Sequence, residues 1–120
     1  MTINTCLLSG TTNSSGALTV SATHAYFGKL YAVQLIDGTA DNGVDITLTA
    51  EQGDLSIPLL SKANFDTDQM VYPRVAAALN TDGSALTWYD APLVVGTPRM
   101  VIAQGGDTKV VSCILYICED

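Results

Sequence analysis

The sequence predicts an all-β fold: a single-domain, jelly-roll-like β-sandwich of about eight to ten short, mostly antiparallel strands. The run Val44–Ala50 alternates apolar and polar residues, which is the pattern of a strand with one solvated face. The run Leu30–Ile36 is apolar at nearly every position, as in a strand that is covered on both faces. Turn-forming residues recur at intervals of roughly ten residues, which is typical of two packed sheets.

The composition limits the classes of protein to which this chain can belong. The 120 residues are enough for one domain with its own core. Only 14% of them are charged, so Ser, Thr, Asn and Gln must supply much of the surface polarity. Such a surface suits a protein that packs against others, and it equally suits an ordinary Thr-rich β-domain. The net charge of −7 leaves no basic cluster, so we expect no direct binding to nucleic acid.

The sequence has no targeting signal that we recognise. Its start has neither the basic region nor the long apolar region of a signal peptide, and no apolar run reaches the length of a membrane span. We therefore expect a protein that is made and retained, or assembled, in a cytoplasm, with no membrane partner.

The sequence predicts two parts of the chain, with the boundary after residue 16. Residues 1–16 form a strand and a Gly-, Ser- and Thr-rich loop, and this part is a candidate interaction arm. Residues 17–120 form the β-sandwich domain. The first strand, Ile3–Ser9, and the second, Ala17–Thr23, would form a hairpin or a strand-crossing corner.

The C-terminal elements continue the pattern. Pro58 cannot donate a hydrogen bond to a neighbouring strand, so the strand Leu55–Leu60 either lies at a sheet edge or ends a pairing at Pro58. Val75–Leu79 is Ala-rich, and we favour a strand over a short helix there because strands surround it. The last two strands, Arg99–Gln104 and Lys109–Cys118, are predicted to form a hairpin.

One acidic loop is a candidate metal site. Asp37, Asp41 and Asp45 lie among glycines, and carboxylate oxygens at loop positions are the ligands that calcium prefers. The spacing does not match an EF-hand. The alternative, which the composition favours, is a loop whose Asp and Asn side chains cap their own backbone. We expect no cofactor.

The residues show no catalytic constellation. His24 is the only histidine, and no base or nucleophile stands in a recognisable pattern with it. The three cysteines have no zinc-site spacing, and Cys113 fits a small buried apolar residue. A disulfide from Cys6 to Cys113 or to Cys118 is the alternative for these thiols. We therefore predict a protein that is not an enzyme.

Three residues are candidate interface contacts. Tyr72 and Arg74 flank Pro73, and Tyr and Arg are enriched among the residues that dominate interface energies. Trp88 is the third candidate, with packing in the core as its alternative.

Several strand-and-turn stretches together resemble small virion structural proteins of tailed bacteriophages; they are Leu30–Val33, Ile36–Gly38, Gly43–Thr49, Tyr72–Arg74 and Val101–Gly106. The likeness spans roughly Leu18–Ile117. It implies a non-enzymatic β-sandwich in the virion, assembled in the host cytoplasm and forming a homo-oligomer. The role that it favours is capsid decoration (a cement protein) on the lattice of the major capsid protein.

Two other roles remain open from the sequence. One is a head–tail connector, neck or tail component of the same virions. The other is a calcium- or carbohydrate-binding adhesive β-sandwich, with the acidic loop holding the ion.

Overall fold

The computed structural model describes the backbone of residues 2–76 and 89–119, and the side chains of these residues except at positions 76 and 89. The described residues form ten strands and no helix. The strands are β1 (Thr2–Thr11), β2 (Leu18–Ser21), β3 (Tyr26–Ile36), β4 (Asp45–Gln52), β5 (Leu55–Lys62), β6 (Gln69–Val71), β7 (Val75–Ala76), β8 (Tyr89–Asp90), β9 (Leu93–Ala103) and β10 (Val110–Glu119). The predicted all-β single domain is confirmed.

Eight of these strands form one continuous antiparallel sheet that folds into two layers. Its main order is β1-β10-β3-β9-β4-β5, with β6 also paired to β3 and β2 also paired to β9. Layer A contains β1, β10, β3 and β6, and layer B contains β2, β4 and β5. The two short strands β7 and β8 pair separately.

Strand β9 belongs to both layers. Its first part, Leu93–Gly96, pairs with the start of β3 in layer A. Its second part, from Thr97 onward, pairs with β4, and Arg99–Ile102 also pairs with β2. Gly96 lies at this change of partner and has a φ of +119°, a conformation that side chains rarely adopt.

The core lies between the layers. Alternate residues of β10 (Val111, Cys113, Leu115 and Ile117) are fully buried, and so are Ile46, Leu48 and Ala50 of β4. Residues of both layers belong to a single hydrophobic cluster, so the layers pack face to face. The strict alternation of buried and open positions on β4 is what its sequence pattern predicts.

The predicted hairpin between the last two strands is wrong. β10 lies between β1 and β3 in layer A, whereas β9 pairs with β3, β4 and β2. The glycine turn between them crosses from one layer to the other. Gly105 donates a backbone hydrogen bond to Gly16 O and accepts one from Asp41 N, both 3.0 Å long. Contacts with two distant loops therefore decide the path of this turn.

The two ends of the sheet order are edge strands. β5 pairs only with β4, which confirms the edge position predicted from Pro58. At the other end, β1 pairs with β10 in unbroken register from Thr2 to Thr11. The candidate arm, residues 1–16, thus contributes an integral strand of layer A. Its contact with a neighbouring molecule stays a prediction.

The first two strands do not pair with each other. β1 lies in layer A and β2 pairs with β9 in layer B, so the connection between them is the corner that was one of the two expectations. Only the beginning of the predicted strand Val75–Leu79 is described, as β7.

Candidate docking face

The outward-facing side of layer A carries very little charge. On β1 and β10 the buried residues alternate with open ones, so the open residues all point away from the core. They are Ile3, Thr5, Leu7, Ser9 and Thr11 on β1, and Val110, Ser112, Ile114, Tyr116 and Cys118 on β10. None of these ten residues is charged, in a chain whose net charge is −7.

Large apolar side chains form a contiguous group on this side. We call the apolar face the set Ile3, Leu7, Tyr31, Ala32, Met70, Tyr72, Ile114 and Tyr116. The strand register places Leu7 opposite Ile114, and Tyr116 opposite Ala32. Leu7 is 63% exposed and Tyr72 is 54% exposed. A shallow depression of about 160 Å³ is lined by six members of the set: Ile3, Tyr31, Ala32, Met70, Tyr72 and Tyr116.

A register shift in β3 places Tyr31 on this face. Tyr116 pairs with Ala32 and the next residue, Ile117, pairs with Leu30, so Tyr31 has no partner on β10. An unpaired residue of this kind bends its strand and turns its side chain outward. Tyr31 is 51% exposed although its two neighbours in the chain are buried.

Two of the predicted interface residues meet at Tyr31. The rings of Tyr31 and Tyr72 contact each other edge to face, with centroids 6.0 Å apart and planes at 84°. The guanidinium carbon of Arg74 lies 5.9 Å from the centroid of the Tyr31 ring, within cation–π range. Arg74 Nη1 also donates a 3.3 Å hydrogen bond to Tyr31 O. These contacts hold the aromatic pair in place, which lowers the entropy that it would lose on binding.

A charged rim borders this face. Lys29 Nζ lies 2.8 Å from Asp90 Oδ2, and the two side chains stay about half exposed. The hydrogen bond from Lys29 lowers the pKa of Asp90, helped by the Ala91 backbone N–H. Next to this pair, a cavity of about 510 Å³ is lined in part by Tyr31, Arg74 and Leu93. The apolar face is therefore bounded by charge on the side of β8 and β9.

The outward side of layer B is different in character. Its open positions on β4 are Asp45, Thr47, Thr49 and Glu51. Glu51 Oε1 accepts an ion pair from Arg99 Nη2 at 2.8 Å. The pKa of Glu51 is lowered mainly by the hydrogen bond from Ser56, and the positive charge of Arg99 lowers it further. This side is polar and charged, as expected of a surface that faces water.

The acidic loop does not bring its three predicted ligands together. Asp45 Oδ1 accepts a hydrogen bond from Asn64 N at 3.0 Å, and Asp41 Oδ1 lies 3.9 Å from Lys109 Nζ. The backbone N–H of Asp37 donates to Asp68 Oδ1 at 2.8 Å. Within the described ranges, no group of three or more His, Cys, Asp or Glu side chains could hold a metal ion. The Asp45 carboxylate instead accepts a hydrogen bond from the loop backbone, and the Asp41 carboxylate lies beside Lys109.

Burial and repulsion act on one of these acids. Desolvation raises the pKa of Asp37, and the carboxylates of Asp68 and Asp66 raise it further. One Asp37 carboxylate oxygen is buried without a hydrogen-bond partner. The ionised form of Asp37 is therefore destabilised in the folded protein.

The cysteines are free thiols in the structure. Cys6 and Cys113 are buried and Cys118 is partly exposed. Burial raises the pKa of Cys113 to about 12, with a smaller contribution from Cys6. Cys113 is thus a buried apolar residue, as the sequence predicts.

The structure places two of the three predicted interface residues on or beside this face, and their role as contacts stays a prediction. Tyr72 and Arg74 lie together and exposed, whereas Trp88 lies outside the described residues. Sequence reasoning missed the contributions of β1, β3 and β10. The available signal was the run of apolar residues at both alternating positions of β3 and β10, which predicts strands covered on both faces.

Comparisons with known proteins give few matches. No protein-family model matches the chain, and a search of the curated proteins finds no significant match. Among solved structures, the chain is similar to one from the structure of infectious bursal disease virus Gt strain, with 15% identity and a TM-score of 0.36. The match covers 97% of this chain and 32% of that one, so this chain spans about a third of its length. In the part of the chain that is described, no helix has the length and apolarity needed to cross a membrane.

Proposed function

We propose that this protein is a non-enzymatic structural component of a virion, a capsid decoration protein that binds the major capsid protein lattice of a tailed bacteriophage through its apolar face. The resemblance described above motivates the choice of virion. The observation that carries the proposal is that the apolar sequences of β3 and β10 do not match the exposure of their outward sides. Their sequences are those of strands covered on both faces, yet Tyr31 of β3 is half exposed and the outward residues of β10 are only partly buried by the described residues.

The composition of the face favours docking over solvation. The exposed parts of Ile3, Leu7, Tyr31, Met70 and Tyr72 amount to roughly 500 Å² if ordinary side-chain areas are assumed. Apolar patches of about this size on monomers are often functional. The outward positions of β1 and β10 carry no charge that a covering partner would have to desolvate, so the cost of burying them is low.

The expected affinity of one copy is modest. Burial of roughly 500 Å² at about 25 cal/mol per Å² gives about 12 kcal/mol. Association costs about 4–15 kcal/mol in lost freedom, so a single contact would be weak to moderate. A lattice offers many equivalent sites at fixed spacing, and linked copies gain from effective concentration. A protein with such a face fits a repetitive surface better than a single high-affinity partner.

Reconstitution on particles tests the proposal. Capsids from the parental phage that lack the protein would be mixed with purified wild-type or Tyr72→Asp protein and separated by sedimentation. Tyr72→Asp should weaken binding about 100-fold, because it removes about half of an aromatic side chain from the contact and would bury a charge. Lattice-wide occupancy would support decoration, and a single ring of copies would instead indicate a neck or tail component.

A matched control separates the face from a general effect of added charge. Thr47→Asp adds the same charge at an exposed position on the outward side of layer B. It should bind particles like the wild type. Thermal unfolding of both variants checks that they are folded. Equal binding by folded Tyr72→Asp protein would exclude the apolar face as the docking surface.

A further inference from the structure

The free edge of β1 is a second candidate surface. β1 pairs with β10 along one side over its whole length, from Thr2 to Thr11. On its other side, no described strand pairs with it. In an antiparallel sheet, every second residue of an edge strand points its N–H and C=O groups outward. β1 therefore presents an unfilled row of donors and acceptors.

The space beside this edge is open. The nearest segment of layer B, residues 20–26, is separated from β1 by two grooves of about 320 and 510 Å³. Their walls include Cys6 and Leu8 in one groove, and Ile3 and Thr5 in the other, together with Tyr26 in both. The side of β1 that faces away from β10 therefore borders open grooves and no paired strand of the described residues.

The two edges of the sheet differ in protection. Natural edge strands avoid unwanted pairing through proline, charged residues or irregular register. β5 has all three: Pro58, Lys62 and a register shift opposite Leu48 and Thr49. β1 is ten residues long, contains no proline and no charged residue, and shows no register shift. Its sequence is that of a strand which pairs on both sides.

We infer that β1 pairs antiparallel with β1 of a second copy of this chain, forming a two-fold dimer with a continuous layer A. Antiparallel pairing of two identical strands is self-complementary, which is what a two-fold interface requires. Charge also favours this contact. Each copy carries a net charge of −7, but β1 has no carboxylate, and Glu119, which lines the groove at the Thr2 end of β1, accepts a hydrogen bond from Asn4 and lies away from the axis at Thr5. Two copies therefore meet here with little repulsion.

The side-chain pattern specifies a register. Residues directly opposite each other in an antiparallel pair point to the same side of the sheet. With Thr5 at the two-fold axis, Ile3 of each copy lies opposite Leu7 of the other copy. These side chains are 52% and 63% exposed in the single chain, so this register buries two pairs of open apolar residues. The inference concerns self-association and does not depend on docking to a capsid.

Disulfide trapping tests the register. In a Cys118→Ser background, Thr5→Cys should form a disulfide-linked dimer under mild oxidation, because the two sulfur-bearing residues face each other across the axis. The matched variant Ser9→Cys also places a thiol on an outward position of β1, but far from its own copy in this register. It should stay largely monomeric. Equal trapping of both variants, or trapping of Ser9→Cys alone, would overturn the register.

Sedimentation equilibrium tests the dimer itself. Thr5→Lys places like charges opposite each other at the axis and should weaken dimerisation at least 10-fold. Thr47→Lys is the control and should dimerise like the wild type. Wild-type protein that stays monomeric up to millimolar concentration would refute the inference. Dissolution of the dimer by Tyr72→Asp but not by Thr5→Lys would also refute it and would assign self-association to the apolar face.

Discussion

The position where β9 changes layers should be among the least tolerant in the chain. Gly96 has a φ of +119°, and a β-carbon added to it would lie 2.3 Å from Glu51 O and 2.8 Å from Glu51 C. Both atoms are backbone atoms of β4, so no flexible side chain can move away. Substitution to alanine must therefore shift the pairing of β9 with β4 or rotate the chain at the junction of the two layers.

The expected cost can be worked out against a second glycine. Gly53 also has a positive φ, +59°, but an added β-carbon would meet nothing within 4 Å. Gly53→Ala should cost about 1 kcal/mol, for the backbone conformation alone. Gly96→Ala adds an overpacking cost of about 1–3 kcal/mol to that conformational strain, for about 2–4 kcal/mol in total.

Thermal and urea unfolding would measure the difference. For a domain of this size, about 4 °C of Tm corresponds to 1 kcal/mol. We expect Gly96→Ala to lower Tm by about 8–16 °C and Gly53→Ala by about 4 °C. Should the two variants unfold within a few degrees of each other, the reasoning that places Gly96 in a backbone clash between the layers is refuted.

Two further predictions concern titratable groups. At pH 8 a thiol reagent should modify Cys118 in the folded protein. Cys6 and Cys113 are buried, and burial raises their pKa values, so they should react only after unfolding. Fast labelling of all three cysteines in the folded state would contradict this. The pKa of Asp37 is higher in the folded protein than in the unfolded chain, so its carboxyl group loses its proton at lower pH in the unfolded chain. The contribution of Asp37 to the free energy of unfolding therefore falls as the pH rises above about 4. Asp37→Asn should therefore gain stability relative to the wild type between pH 3.5 and pH 7 in urea titrations, and a pH-independent difference would contradict the assignment.

The sequence was sufficient where a pattern is local. The alternation in β4 predicts both its extent and its inward residues, because a strand with one wet face must repeat every second residue. Pro58 predicts an edge, because a residue without an N–H cannot serve a central strand. Residue type alone predicts Tyr72 and Arg74 as interface contacts, which stays a prediction; the structure places both beside Tyr31.

The sequence was not sufficient where contacts between residues far apart in the chain determine the path of the backbone. A glycine turn between two apolar runs looks like a hairpin, but Gly105 is held by hydrogen bonds to residues 16 and 41 and carries the chain between layers. The register shift that exposes Tyr31 likewise depends on pairing with β10, more than eighty residues further along the chain. Neither contact leaves a signal within a short window of sequence.

The apolar face and the free edge of β1 point to the same physical requirement. An apolar run at both alternating positions is stable only if both sides of the strand are covered. In β10 the inward residues are fully buried by the core, while the outward ones remain open in the single chain. Pairing through β1 extends layer A sideways and shares only Ile3 and Leu7 with the apolar face, so Tyr31, Met70 and Tyr72 stay accessible on the outward side. A dimer formed in this way would present two apolar faces on one continuous layer, which doubles the docking area that a repetitive surface can engage and makes a modest single contact sufficient.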